Sequence, residues 1–170
     1  RVNLCRNLQA IGIHRDGGLA DYVIVPQKQA FPLPTSLDPA FGAFCEPLAC
    51  CIHGTDVAQI QPGSTVLVLG GGVIGLLTVQ LAKLAGANVM LATRNKAKRD
   101  LALRLGATAV IDPAATDITA EIQSLSHGGA DVVMECAGVP ETVEQAPQLA
   151  RPGGRVVIVG VLAQGLKVQY

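Results

Sequence analysis

The feature that most constrains this chain is the stretch from Thr65 to Gly86, TVLVLGGGVIGLLTVQLAKLAG. Thr65 to Leu69 is a short apolar run rich in β-branched residues, entered from the turn signal Pro62-Gly63. Its length and flanks predict a buried parallel strand rather than a piece of helix. Gly70-Gly71-Gly72-Val73-Ile74-Gly75 follows and satisfies G-x-G-x-x-G, and the chain then reads as a largely apolar helix up to Ala85. Each glycine has its own physical task. Gly70 allows the sharp turn out of the strand, Gly72 lets backbone approach a pyrophosphate, and Gly75 lets the helix pack close to the strand. The first helical residues, Val73 and Ile74, belong to the same site, because a helix N-terminus turns free N–H groups and a positive dipole end towards phosphate. A glycine-rich loop alone is weak evidence, but one held between a strand and a helix predicts a dinucleotide site. The plain alternative is a tight strand–helix turn that binds nothing.

The same alternation continues down the chain. Strands are predicted at Thr65–Leu69, Asn88–Ala92, Ala109–Ile111, Asp131–Glu135 and Arg155–Val161. Helices are predicted near Val73–Ala85, Lys96–Leu105, Ile118–Leu125 and Glu141–Ala150, the last kinked or starting late because of Pro147. This pattern predicts an α/β domain over residues 61–170, a doubly wound parallel sheet with right-handed crossovers. A strand order of 3-2-1-4-5 puts the glycine-rich loop at the topological switch point, where ligands bind beyond the carboxyl ends of the strands. A sixth strand would complete such a sheet, and the sequence stops before one. An open fifth edge predicts pairing with a second copy, hence a homo-oligomer.

Residues 1–60 read differently. Asp16-Gly17-Gly18 signals a turn, Ala20 to Val25 reads as a strand stopped by Pro26, and Pro32 and Pro34 punctuate a second extended piece. From Asp38 to about Val57 the pattern is helical, with Gly42 and Pro47 implying a break. There is no strand–helix–strand repeat, so this part is expected to take its core from further chain. The absence of an initial methionine fits a truncated N-terminus.

Composition excludes several classes. Thirteen basic and thirteen acidic residues leave no net field to attract nucleic acid or an anionic membrane. No apolar run approaches the roughly 20 residues of a membrane helix. Five cysteines, an odd number without a C-x-x-C pair, do not form a disulfide framework and suit a reducing cytoplasm. Aromatics are scarce, at 3%, so the core must be aliphatic, as in parallel α/β sheets.

Cofactor choice turns on the end of the second strand. An NAD site carries an acid there, about 20 residues past the glycines, for the ribose 2′-OH. Here the strand ends in Thr93-Arg94-Asn95, and Lys96, Lys98, Arg99 and Asp100 follow. Cations crowding a helix N-terminus oppose its dipole by about 0.3–1 kcal/mol each. A solvated face can tolerate that, but a bound 2′-phosphate would relieve it, so NADP is favoured and NAD is the alternative. Cys136, at the end of the fourth strand, and Val159-Gly160-Val161, at the end of the fifth, fall where the nicotinamide half of the site would lie. Ordinary strand-to-loop transitions are the plain alternative there.

With these residues in place, the chain resembles the zinc-dependent medium-chain dehydrogenases, the group of alcohol, sorbitol and threonine dehydrogenases. The resemblance runs through Asn3-Leu4-Cys5, Gly12 to Gly18, Ala20-Asp21-Tyr22 with Val25-Pro26, Glu46-Pro47-Leu48-Ala49 and Gly70 to Gly75. It continues in Leu105-Gly106-Ala107, Asp112-Pro113 and Gly153-Gly154. It implies a Rossmann domain at 61–170, lacking its last strand, behind a partial GroES-like catalytic domain at 1–60. It implies that Cys5 is the last of four cysteines around a structural zinc, and that Glu46 is the carboxylate beside a catalytic zinc, a near ligand or proton-relay partner. Ile74, Thr93, Lys98 and Val159 to Val161 match the family's cofactor contacts, and Thr93 replaces the Asp usual in NAD-using members. The implied reaction is hydride transfer between the nicotinamide and a small alcohol, polyol or ketone, with zinc polarising the oxygen. This part alone would bind cofactor without catalysis. Two other readings stand beside it: a zinc-free, quinone-reductase-like oxidoreductase and a non-catalytic dinucleotide-binding module.

Overall fold

A computed structural model describes residues 5–126 and 128–162. Two compact units divide between Gly42 and Ala43. The first has little regular structure among its described residues: an isolated bridge between Ile11 and Arg15, a 3-10 turn at Gln27–Gln29 and a short helix α1 (Pro39–Gly42). The strand expected at Ala20–Val25 does not form. A strand needs a partner for its N–H and C=O groups, and this segment pairs with nothing among the described residues. Tyr22, Ile24 and Phe31 stay exposed in consequence.

The second unit begins with helix α2 (Cys45–Ala58). Gly42 ends α1, as the sequence suggests, but Pro47 does not break the helix. It falls in the first turn of α2, where a backbone N–H has no intrahelical partner to lose. Cys51, Gly54 and Ala58 form the buried stripe of α2, and Arg155 Nη1 donates to the Ala58 carbonyl at 3.1 Å. Residues 43–60 therefore pack with the sheet unit, and the compact division lies before them.

The sheet contains β1 (Thr65–Leu69), β2 (Asn88–Ala92), β3 (Ala109–Ile111), β4 (Ala130–Glu135) and β5 (Ala150–Ile158), all parallel, in the order β3-β2-β1-β4-β5. Helices α3 (Val73–Leu84), α4 (Lys96–Arg104), α5 (Ile118–Leu125) and α6 (Pro140–Leu149) connect them. Successive strand residues face opposite ways, so β1 serves two cores. Val66 and Val68 pack with Ala58, Val79, Ala82 and Ala102, from α2, α3 and α4. Leu67 and Leu69 pack with Ile118, Ile122, Ala146 and Leu149, from α5 and α6. Helices thus cover both faces, which is why the strands are apolar throughout.

Two elements, α6 and β5, differ most from expectation, and β4 begins one residue early, at Ala130. α6 starts at Pro140 instead of late and keeps Pro147 inside. The proline forfeits one helical hydrogen bond, but buried Val143, Ala146 and Leu149 hold the helix on the sheet. β5 starts at Ala150 and stops at Ile158, short of the expected Val161. Its early start comes from a register shift: Ala130 pairs with Ala150, Val132 with Arg155, and Arg151 to Gly154 bulge between them, with Gly153 at φ +75°. Its early end comes from the Glu135 carbonyl, which accepts from both the Val159 and Gly160 N–H groups, at 2.8 and 3.0 Å, and closes the ladder.

Candidate dinucleotide site

The crevice lies where the strand order reverses, between β1 and β4. Leu69 and Glu135 are register partners, so Gly70 and Cys136 leave the sheet side by side, joined by the Cys136 N–H to the Leu69 carbonyl at 2.9 Å. Gly70 turns at φ +104°, and a Cβ there would sit 2.9 Å from the Ala137 nitrogen. A Cβ on Gly75 would collide with the Gly70 carbonyl. At Gly72, the N-cap of α3, a Cβ would meet nothing within 4 Å, and no side chain caps the helix. Backbone N–H groups at the start of α3 therefore face open space, the arrangement that accepts a pyrophosphate.

A cleft of about 620 Å³ opens at this loop, within the range of roughly 300–1,000 Å³ of cofactor pockets. Gly70, Gly71, Gly72, Thr93, Arg94 and Lys98 line it, together with Cys136 and Ala137 from the β4–α6 loop and Glu141, Thr142 and Gln145 from α6. Gly71 sits against α4: its Cβ would lie 3.0 Å from Thr93 Cγ2 and 3.1 Å from Lys98 Cβ. Of the expected cofactor residues, the cleft brings together Gly70, Gly72, Thr93, Arg94, Lys98 and Cys136. Val73, Ile74 and Gly75 form the first turn of α3 behind it. Val159, Gly160 and Val161 lie outside the lining, packed behind the β4–α6 loop, where a Cβ on Gly138 would lie 2.8 Å from the Val161 carbonyl oxygen. Burial pushes the Cys136 thiol up to about 12, so it meets the cleft as a neutral group.

The basic cluster does not act as one. Lys96 pairs with Asp100 at 2.8 Å, and Arg99 pairs with Asp112 at 2.9 Å. Arg94 and Lys98 line the cleft and pair with no acid among the described residues. Asn95 caps α4 by accepting from the Lys98 N–H at 3.1 Å.

Sequence reading passed over Glu135 as a strand terminus. It is fully buried, and its Oε1 accepts from Ala137 N, Gly138 N and Thr142 Oγ1 at 2.8, 2.9 and 2.7 Å. Its Oε2 has no hydrogen-bond partner among the described residues and lies 2.5 Å from where a Cβ on Gly160 would be. The signal was present: a carboxylate ending an apolar strand, followed three residues later by glycine, needs local donors to be buried.

Glu46 is exposed in the first turn of α2, where its Oε1 accepts from Cys50 Sγ at 3.5 Å. Burial first, and then this bond, raise the Cys50 thiol. Cys5 is exposed, and all five cysteines are free thiols. No group of three or more His, Cys, Asp or Glu able to hold a metal ion occurs among the described residues. Zinc takes four ligands, so these residues alone do not build a zinc site.

The doubly wound sheet, the glycine loop at the switch point and the basic cleft together define a dinucleotide-binding domain of the Rossmann type. The comparisons with known proteins agree: the zinc-binding dehydrogenase family model matches residues 73–169, more than half of the sequence, and the chain belongs to that family. A protein of Sinorhizobium meliloti 1021, described as a zinc-binding dehydrogenase and crystallised bound to NADP, is 62% identical, with a TM-score of 0.90 over 99% of this chain and 50% of that one. A protein of Escherichia coli CFT073, described as a short chain alcohol dehydrogenase complexed with NADH, is 29% identical, with a TM-score of 0.89 over 98% of this chain and 50% of that one. L-threonine 3-dehydrogenase of Pyrococcus abyssi is 32% identical over 100% of this chain and 49% of its own length. The chain spans about half the length of the curated relatives it matches.

Proposed function

We propose that these residues are the cofactor-binding part of an NADP-dependent oxidoreductase acting on the CH–OH group of an alcohol or polyol, or on the corresponding ketone. Residues 61–170, with residues 43–60 packed on them, supply the dinucleotide-binding domain, and residues 1–42 belong to a GroES-like catalytic domain. The observation that carries the cofactor choice is the division of the basic cluster: Lys96 and Arg99 are neutralised by acids, while Arg94 and Lys98 remain on the cleft wall beside Thr93. A 2′-phosphate would complete that charge. The NADP-bound relative at 62% identity supports the same choice, and the NADH-bound relative keeps NAD as the alternative.

When bound, the nicotinamide ring supplies the centre that accepts or gives the hydride. This chain's own residues bind and orient the rest of the cofactor. The α3 N-terminus and the bare backbone at Gly72 receive the pyrophosphate, Arg94 and Lys98 the 2′-phosphate, and Cys136 the inner wall. Val159 to Val161 support the nicotinamide side from behind the loop. Glu46, as a carboxylate near a catalytic zinc, and Cys5, as one ligand of a structural zinc, need partners from elsewhere in the protein. Exposed Tyr22, Ile24 and Phe31 suit burial against such further structure. The outer strand β5 offers an edge for a second copy. Five free thiols suit a reducing cytoplasm, and no described helix is long and apolar enough to cross a membrane.

The test is a fluorescence titration of the full-length protein with NADPH and, separately, NADH. A charge-assisted contact contributes about 1.5–3 kcal/mol, roughly ten- to a hundredfold in affinity. NADPH should therefore bind at least tenfold tighter, and Arg94→Gln should remove most of the difference. Equal affinities, or tighter NADH, would leave Arg94 and Lys98 as a solvated face and defeat the reading.

A further inference from the structure

Arg99, like Lys96, lies outside the cleft lining, but it is tied to the segment that carries Arg94. Arg99 Nη1 donates to the Thr93 carbonyl at 2.6 Å and its Nη2 pairs with Asp112 Oδ2 at 2.9 Å, with the side chain only 16% exposed. Asp112 is itself fixed just past β3. Its Oδ1 accepts from the Ala114 N–H at 3.1 Å, and its carbonyl accepts from the Ala115 and Thr116 N–H groups at 3.0 and 3.1 Å. Thr93 is held from the other end too, its N–H donating to the Ile111 carbonyl at 3.1 Å. The segment that presents Arg94 is thus tied to β3 at two points, one of which is the guanidinium. Thr93 also packs on Gly71, so the tie reaches the glycine loop.

We infer that Arg99 and Asp112 form a positioning pair that sets cofactor selectivity without touching the cofactor, by fixing the Thr93 backbone and thereby the place of Arg94. The inference rests on the proposed NADP site. The guanidinium suits the task because its planar fork satisfies a carbonyl and a carboxylate at once, whereas a lysine ammonium cannot reproduce that geometry. Asp112 matters for a second reason. An acid close to a 2′-phosphate site opposes anion binding by charge alone, so its presence there is explained by the strut it makes with Arg99.

That sign difference makes the test. In the full-length protein, Arg99→Gln, Arg99→Lys and Asp112→Asn are each titrated with NADPH and NADH, with the melting temperature of each recorded. If the pair positions Arg94, all three variants lower the NADPH-to-NADH affinity ratio at least fivefold while NADH affinity stays within about threefold of wild type. The double variant Arg99→Gln with Asp112→Asn is then no worse than either single one, because both remove the same link. If Arg99 instead binds phosphate directly, Arg99→Lys restores the ratio and Asp112→Asn raises it, and the inference fails. An unchanged ratio in all variants of a protein that prefers NADPH also overturns it. Wild-type protein without a preference for NADPH overturns the NADP reading, and this inference with it. Should Arg99→Gln not fold, Asp112→Asn, which keeps the side chain's size and its acceptor for Ala114, decides alone.

Discussion

Replacing Glu135 with alanine removes the acceptor that holds the β4–α6 loop. Three donors converge on its Oε1: the N–H groups of Ala137 and Gly138 and the Thr142 hydroxyl. Thr142 keeps a second acceptor, the Val139 carbonyl at 3.0 Å, so two backbone groups are orphaned. A buried donor left without a partner costs about 1–3 kcal/mol. Ala137 is exposed and can recover water, which puts its share at the low end. The space vacated by the side chain adds about 1 kcal/mol. Against this, the unpartnered Oε2 leaves the interior, a relief of about 1–2 kcal/mol. Loss of the donors' acceptor outweighs that relief, and the net destabilisation is about 2 kcal/mol. Thermal melting should fall by roughly 4–8 °C, at about 2–4 °C per kcal/mol for a domain of this size. Glu135→Gln keeps the Oε1 acceptor and should lose less than half as much. Ala137 and Thr142 line the cleft, so dinucleotide affinity should also fall about tenfold in the alanine variant. An alanine variant that melts within 1 °C of wild type, or a glutamine variant that melts lower than it, would refute this account of the loop.

Two further perturbations separate binding from folding and probe acid stability. Gly72→Ala meets no steric barrier at φ −76° and costs about 0.5–1 kcal/mol as a poorer N-cap, yet puts a methyl group where pyrophosphate would lie. Calorimetric titration should show at least a tenfold loss of affinity with the melt lowered by no more than about 4 °C, and unchanged affinity would remove Gly72 from the site. The Asp131 carboxyl is held below its usual range, first by the Thr65 N–H at 2.7 Å and then by Arg151 at 2.6 Å. A depressed native value means that its contribution is complete above about pH 4 and is lost as pH falls through the lower native value. Asp131→Asn should therefore flatten the acid limb of a melting-temperature profile below about pH 4, and an identical limb would disprove the coupling.

Most of the sheet was legible because its signals are local. Apolar runs of three to six residues, separated by helical patterns and turn glycines, specify the first four strands from their own neighbourhoods, and β1, β2, β3 and α5 fall where the sequence places them. The strand order followed from chain geometry, since right-handed crossovers around a glycine-rich switch point leave few alternatives. Ala20 to Val25 failed for the opposite reason. Its pattern is that of a strand, but a strand is a relation between two segments, and no described segment pairs with it.

What the residues determined by themselves was the type of domain and the place of its ligand: a strand, a glycine turn and a helix N-terminus are contiguous in the chain. Tertiary structure alone decided which charges serve the cleft. Arg94, Lys96, Lys98 and Arg99 look alike in one dimension, and Asp112, brought in by β2–β3 pairing, takes Arg99 out of the set. It also decided that Glu135 is buried, because that burial depends on where β5 and its neighbouring glycine come to rest. The interactions that select among chemically equivalent side chains act across the sheet, between residues whose separation along the chain carries no trace of their contact.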